Sequence, residues 1–243
     1  MVEERESGMM AVGSLALVAT PIGNLEDMTF RAVRVLSEAD LIAAEDTRRA
    51  RVLCDHYGVH TALTSYHAHN EHGKTSWLLD QVEAGKRVAV LSDAGTPVIS
   101  DPGYLLVREA LARDIEPLVI PGVSALTFAV VAAGLPAHEF HFVGFLPVKS
   151  GRRRSALESF RDRPATYFVY EGPHRVGRLL DEIGEVLGAE TRVAVIREAT
   201  KVYEECLRGP VADIIRTQGE KRWRGEFVIG IDSRPVGDTS ARG

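Results

Sequence analysis

Short apolar runs alternate with segments of helical period through the first half of this chain. The runs 15–20 (LALVAT), 41–45 (LIAAE), 62–66 (ALTSY), 87–92 (RVAVLS) and 116–121 (EPLVIP) have nearly uninterrupted apolar centres, the pattern of strands buried on both faces. Between them, 30–40 (FRAVRVLSEAD), 47–58 (TRRARVLCDHYG), 75–85 (TSWLLDQVEAG) and 103–114 (GYLLVREALARD) repeat apolar residues at i, i+3 and i+4. That spacing predicts amphipathic helices. Strand and helix in alternation predict an α/β domain with a mostly parallel sheet covered on both faces. Its ligand site belongs beyond the carboxyl ends of the strands, where the chain order reverses.

After residue 121 the texture changes. The runs 139–145 (EFHFVGF), 165–171 (ATYFVYE), 191–198 (TRVAVIRE), 203–209 (YEECLRG) and 225–232 (GEFVIGID) follow with fewer helices between them. Several lie close enough to pair antiparallel, which predicts a mixed α+β second half. The alanine-rich stretch 125–135 is too short to span a bilayer and predicts a buried helix. These readings give a disordered leader 1–13, domains 14–121 and 122–232 sharing a cleft, and a frayed tail 233–243. The leader (MVEERESGMM) is acidic and polar, unlike a signal peptide, and Met9 or Met10 offers an alternative start.

Composition narrows the function. With 243 residues, 45% of them hydrophobic, the chain has a globular make-up and ample length for a core. Cys54 and Cys206 stand apart, with no CxxC and no histidine at ligand spacing. This argues against a zinc site or a disulfide framework, predicts no metal, and fits a reducing cytoplasm. The net charge of −5 argues against a surface that grips nucleic acid everywhere. The charge is unevenly spread, however. Residues 11–121 carry 10 Lys/Arg against 15 Asp/Glu, whereas 145–178 carry eight bases against three acids. Such an asymmetry focuses a field on one face, or is the solvated side of a helix.

Three loops leave strand ends in the same way. The stretch 92–103 (SDAGTPVISDPG) follows a strand with two glycines, two prolines and two aspartates, more than a short connection requires. Gly95 allows backbone to approach a ligand, and the N–H groups near 94–96 predict a donor concavity. Asp93 is a candidate acceptor and Asp101 a candidate helix cap, as is Ser124 in 121–125 (PGVSA). The loop 19–27 (ATPIGNLED) sits where a dinucleotide fingerprint belongs, but lacks GxGxxG and any Walker lysine. PGVSAL has Leu126 where an esterase elbow has glycine. His67, His69 and His72 lack metal-site spacing. The loops 20–25, 93–97 and 121–125 therefore predict one small polar ligand in one cleft.

Seven segments, LVATPIGNLEDMTFRAVRVLSEADLIAAEDTR, SYHAHNE, LSDAGTPVISDPG, IPGVSAL, GFLP, VYEGPHR and REATKVYEE, together resemble the tetrapyrrole methylase superfamily. Within it they are similar to the branch that methylates a ribose 2′-oxygen of a cytidine in the 16S rRNA decoding centre. The resemblance covers about 14–232, with Gly172 in place of a common serine and Ala199 in place of a common leucine. It implies a two-domain fold, S-adenosyl-L-methionine as cofactor, a homodimer, and 16S rRNA or the small ribosomal subunit as partner. It also implies cofactor contacts at Pro21, Gly23, Asp93, Ala94, Gly95, Thr96, Ser124, Ala125 and Tyr170. A 2′-hydroxyl is a weak nucleophile, so a base helps. The candidates are Glu171, Glu198 and Glu204, with Lys201 to tune a neighbour or hold a phosphate. Lys149, Arg152, Arg153, Arg154, His174 and Arg175 are the expected phosphate contacts, which position RNA without reading its sequence. Alternatives that share parts of this sequence are a tetrapyrrole C-methyltransferase, a non-catalytic RNA-binding protein, and a metal phosphohydrolase using Glu45, Asp46, Asp93 and Asp101.

Overall fold

In the computed structural model, which describes residues 10–219 and 222–235, each of the ten apolar runs becomes a strand. The first five are β1 (Leu15–Val18), β2 (Leu41–Ala44), β3 (Leu63–Ser65), β4 (Val88–Leu91) and β5 (Leu118–Ile120). They form one sheet in the order β3-β2-β4-β1-β5, parallel throughout. Successive side chains of a strand point to opposite faces, and the core divides accordingly. Ala16, Val18, Ile42, Ala44, Ala89 and Leu91 pack under α1 (Phe30–Glu38) and α2 (Thr47–His56). Leu15, Leu17, Ala43, Val88 and Val90 pack under α3 (Glu71–Glu83) and α4 (Tyr104–Ala112). The chain leaves β1 for β2 in one direction and β4 for β5 in the other. The reversal therefore falls between the neighbours β1 and β4, where α/β sheets place their ligands.

The remaining strands are β6 (Phe140–Phe145), β7 (Thr166–Glu171), β8 (Arg192–Arg197), β9 (Glu205–Pro210) and β10 (Phe227–Asp232). Their sheet runs β6-β7-β10-β8-β9, with β6 and β7 parallel and the other pairs antiparallel. One face packs under α6 (Ser150–Ser159), α7 (Val176–Leu187) and α8 (Val211–Gln218). The other packs against α5 (Ala125–Ala132). More of this half is helical than its texture suggested: the arginines of α6 mask its period, whereas α7 carries a plain helical one in Val176, Leu179, Leu180, Ile183 and Val186.

Several boundaries move. α3 begins at Glu71, four residues early, because its polar first turn carries no apolar signal and Asn70 Oδ1 takes the His67 N–H at 2.8 Å. Met10 is buried in the first core and donates its N–H to Glu38 at 2.8 Å, so 10–13 is not leader. Residues 1–9 lie outside the described residues. Ser233 Oγ bonds the Ala165 backbone and Arg234 bonds Asp232 and Thr166, so the tail is held at its start. Residues 236–243 lie outside the described residues. The two compact units meet between Ser124 and Ala125, three residues past the expected boundary. Among the described residues no helix is long and apolar enough to cross a membrane.

Candidate functional site

At the carboxyl end of the first sheet, three loops are tied into one body. Thr20, just after β1, exchanges both backbone hydrogen bonds with Gly95, at 2.8 and 3.0 Å. Thr20 Oγ1 donates to the Ser92 carbonyl at 3.1 Å, and Ser92 Oγ donates to the Gly95 carbonyl at 2.9 Å. Thr96 Oγ1 reaches the Val123 carbonyl at 3.4 Å. Gly95 has φ +83°, and a Cβ there would meet Ile22 Cγ2 at 3.3 Å. A Cβ on Gly122 would lie 2.9 Å from Ala19 Cβ, closer than packed carbons approach, so the β5 loop closes on the β1 loop only without a side chain. The convergence that the sequence suggested is therefore built from hydrogen bonds and two bare backbones.

The donor concavity expected near 94–96 is smaller than anticipated, because the Gly95 N–H belongs to Thr20. Gly23, Ala94 and Gly122 lie exposed at this lip, Thr96 is half-buried, and Pro21, Gly95 and Ser124 are buried beneath it. Ala125 opens α5. Asp93 is an acceptor, but for this chain's own groups. Its Oδ1 takes the Asp46 N–H at 2.9 Å and its Oδ2 pairs with Arg49 at 3.4 Å. Asp46 caps α2 through the Arg48 N–H. Asp101 does not cap α4, whose N-cap is Gly103 with no side-chain bond. Its carboxyl is instead pushed up to about 6, first by burial and then by Glu45 and Asp93. Burial, followed by Asp93, also raises the Glu45 carboxyl. Among the described residues no group of three or more His, Cys, Asp or Glu side chains is arranged to hold a metal ion.

In the second unit the structure gives the expected catalytic residues holding roles. Glu171 ends β7 fully buried, its Oε1 bonded to Arg175 Nε at 2.6 Å and to the Gly172 N–H at 2.8 Å, while Oε2 is buried without a hydrogen-bond partner among the described residues. Glu198 receives Lys201 at 3.0 Å and the Glu226 N–H at 2.9 Å. Burial alone would raise this carboxyl, but those two donors hold it below its ordinary range. Lys201 also reaches Glu226 at 2.7 Å; burial opposes its charge, yet the two carboxylates raise its pKa. Glu204 caps the Thr200 N–H at 2.6 Å. Tyr170 sits on the α5 face, edge-on to Phe142 and Phe145.

The expected phosphate contacts divide. Arg153 is 1% exposed, with Nη2 on Glu182 at 2.7 Å and Nη1 on the Val148 carbonyl at 2.9 Å. Phosphate cannot reach it. Its side chain turns inward because α6 packs on α7 along Arg153 and Leu157, one turn apart. Arg154 pairs with Glu185 across the same helices, and Arg175 is half-buried on Glu171. Lys149, Arg152 and His174 are exposed. Arg222 and Arg224 are also exposed; in the sequence the basic run 221–224 (KRWR) is offset by the flanking Glu220 and Glu226.

A parallel sheet with glycine-rich loops at its reversal point, followed by a mixed five-stranded sheet, is the architecture of a methylase. Residues 14–215 match the family described as Tetrapyrrole (Corrin/Porphyrin) Methylases. The fold is similar to diphthine synthase, with a TM-score of 0.72 and 14% identity over 90% of this chain and 89% of that one. It is also similar to uroporphyrin-III C-methyltransferase from Thermus thermophilus complexed with S-adenosyl homocysteine, with a TM-score of 0.62 and 20% identity over 89% and 96%. Ribosomal RNA small subunit methyltransferase I of Halalkalibacterium halodurans is 47% identical over 220 residues, 90% of this chain and 76% of that protein. The chain belongs to the tetrapyrrole methylase family, in the branch of ribosomal RNA small subunit methyltransferase I.

Proposed function

We propose that the protein transfers a methyl group from S-adenosylmethionine to the ribose 2′-oxygen of a cytidine in the decoding centre of small-subunit ribosomal RNA, in the cytoplasm and as a homodimer. The observation that carries the reading is the tied lip of loops 19–24, 92–97 and 121–124 at the sheet's reversal point, in a chain whose relatives bear that rRNA methyltransferase name.

The lip suits the cofactor. Exposed Gly23 and Gly122 carry no side chain and Ala94 only a methyl, which allows close approach, and the carboxylates of Glu45, Asp93 and Asp101 favour a cationic ligand. S-adenosylmethionine, when bound, supplies a methyl group on a positively charged sulfur. Pro21, Gly23, Ala94–Thr96 and Ser124, all of the first unit, would hold it. Methyl transfer to oxygen is an in-line displacement, and alignment of donor and acceptor supplies much of its rate. Glu171, Glu198 and Glu204 contribute by fixing the loops that flank the second sheet, and Lys149, Arg152 and His174 by holding phosphates.

The test uses labelled S-adenosylmethionine and small subunits from cells lacking the gene. A 2′-O-methyl group removes the nucleophile of alkaline cleavage, so one cytidine in the decoding centre becomes resistant to alkali. Label in a base, or in a tetrapyrrole but not in rRNA, overturns the reading.

A further inference from the structure

We infer that the two loops flanking the start of β10 form an RNA-stacking platform, with Tyr203 stacked on an unpaired base and Arg222 and Arg224 on the adjoining phosphates. This rests on the reading of the protein as an rRNA methyltransferase and names where the strand is gripped. The first loop, 198–204, joins β8 to β9. The second, around 222–226, leads into β10, the strand beside β8.

The first loop is held in a costly shape. Glu198 and Thr200 have φ of 50° and 66°, the left-handed region that a β-branched residue in particular avoids. Five polar ties keep it there. The Glu198 N–H donates to the Glu226 carbonyl and the Glu226 N–H returns to Glu198 Oε1, both at 2.9 Å. Lys201 bridges Glu198 and Glu226, and Glu204 caps the Thr200 N–H. Gly225, at φ +96°, completes the fit, since a Cβ there would fall 2.5 Å from the Glu198 carboxylate. The product of this scaffolding is an exposed tip, with Val202 93% and Tyr203 71% accessible. A chain gains no stability by holding an aromatic ring in water; the ring has a use when something stacks on it.

The second loop supplies cations beside it. Trp223 turns inward, its Nε1 against Gly177 of α7 and its ring edge-on to Phe227 at 5.6 Å. The flanking Arg222 and Arg224 are exposed, and the Arg224 carbonyl is fixed by Arg197 Nε at 2.7 Å. The carboxylates of the two loops are already engaged: Glu198 and Glu226 on Lys201, Glu204 on a backbone N–H, and Glu205 on Arg197. With Arg197 the two loops balance four carboxylates against four bases, and among the described residues Arg222 and Arg224 are the cations not held by one of these carboxylates. His174 and Arg178, both exposed, lie on the adjoining β7–α7 segment, because Phe227 pairs with Glu171 across the sheet. An outward aromatic beside uncommitted guanidinium groups fits single-stranded RNA, whose bases stack and whose phosphates need cations.

The experiment measures binding of 16S rRNA transcript by filter retention as a function of salt, alongside KM for the small subunit, with Tyr203→Ala, Tyr203→Phe and Arg222→Ala/Arg224→Ala. Tyr203→Ala should weaken RNA binding and raise KM about tenfold, a typical loss for one stacked base, while Tyr203→Phe keeps most of the affinity. The double arginine variant should flatten the log K against log salt slope by roughly 1.4, two single-strand phosphates. Calorimetric affinity for S-adenosylmethionine should stay unchanged in Tyr203→Ala. Unchanged RNA affinity in both Tyr203→Ala and the double variant overturns the platform, as does a phenylalanine variant as weak as the alanine one. So does a change in mass by light scattering, which would make the tip a contact between copies of the chain. Because RNA binding is read without catalysis, failure of the methylation reading shows separately, as rRNA left unmethylated by the wild-type protein.

Discussion

Arg153 and Asp101 are charged groups removed from water under opposite conditions. Arg153 meets Glu182 in a two-pronged pair that also satisfies backbone carbonyls, and the Glu182 carboxyl is held low, chiefly by that hydrogen bond. Arg153→Ala strands a buried carboxylate and should cost about 3–5 kcal/mol in chemical denaturation. Arg153→Lys should restore only part of this, because an ammonium cannot reproduce the fork. Asp101 has neighbours of like charge instead. Between pH 4 and 6 its folded form keeps a proton that the unfolded chain, near 3.8, has released. Stability therefore falls as pH rises through that window. Asp101→Asn should be more stable than wild type by about 1–2 kcal/mol at pH 8, half the full linkage value because the group is partly solvated, and equal to it near pH 4. Thermal denaturation across that range checks it, and a constant difference at every pH would show that the carboxyl does not titrate there.

At the scale of elements, the β1, β4 and β5 loops behave as one unit because each is bonded to another. Gly122→Ala puts a methyl group 2.9 Å from Ala19 Cβ, and both atoms belong to backbone that cannot swing aside. The variant should lose about 1–3 kcal/mol through overpacking and bind S-adenosylmethionine at least tenfold more weakly by calorimetry. Full affinity in a folded variant would mean that the β5 loop does not shape the cofactor site. The start of α6 yields a second expectation. With Arg153 and Arg154 engaged, only Lys149 and Arg152 of that segment are open to phosphate. Lys149→Ala/Arg152→Ala should flatten the RNA salt slope by roughly 1.4–1.8, whereas adding Arg154→Ala should change it little further.

On the scale of the whole molecule, α1, α2 and α4 leave large apolar side chains in water, Phe30 at 98%, Val52 at 70% and Tyr104 at 68%. Isolated exposed residues are ordinary; Phe30 and Val52, on the two helices that share one face of the first sheet, suit association. Light scattering at micromolar concentration should give twice the 26.6 kDa of one chain, and a monomer there would oppose the dimer.

The strands were legible because a strand buried on both faces must be written as a continuous apolar run, and helices such as α1 because one face must be. The three loops that meet at the end of the first sheet were legible too, since glycine and proline mark where the chain leaves its strands. The amphipathic pattern also settled which half is parallel, because helices spaced between strands force crossovers. What a charged side chain does could not be read this way. Arg152 and Arg153 are adjacent and chemically identical, yet one meets water and the other Glu182, 29 residues away. Glu198, a candidate base in sequence, becomes a strut because Gly225 and Glu226 arrive beside it from a distant segment. Burial pattern is a property of neighbouring residues and is written along the chain; the partner of a charge is chosen by helix packing and strand order, and exists only once the chain has folded.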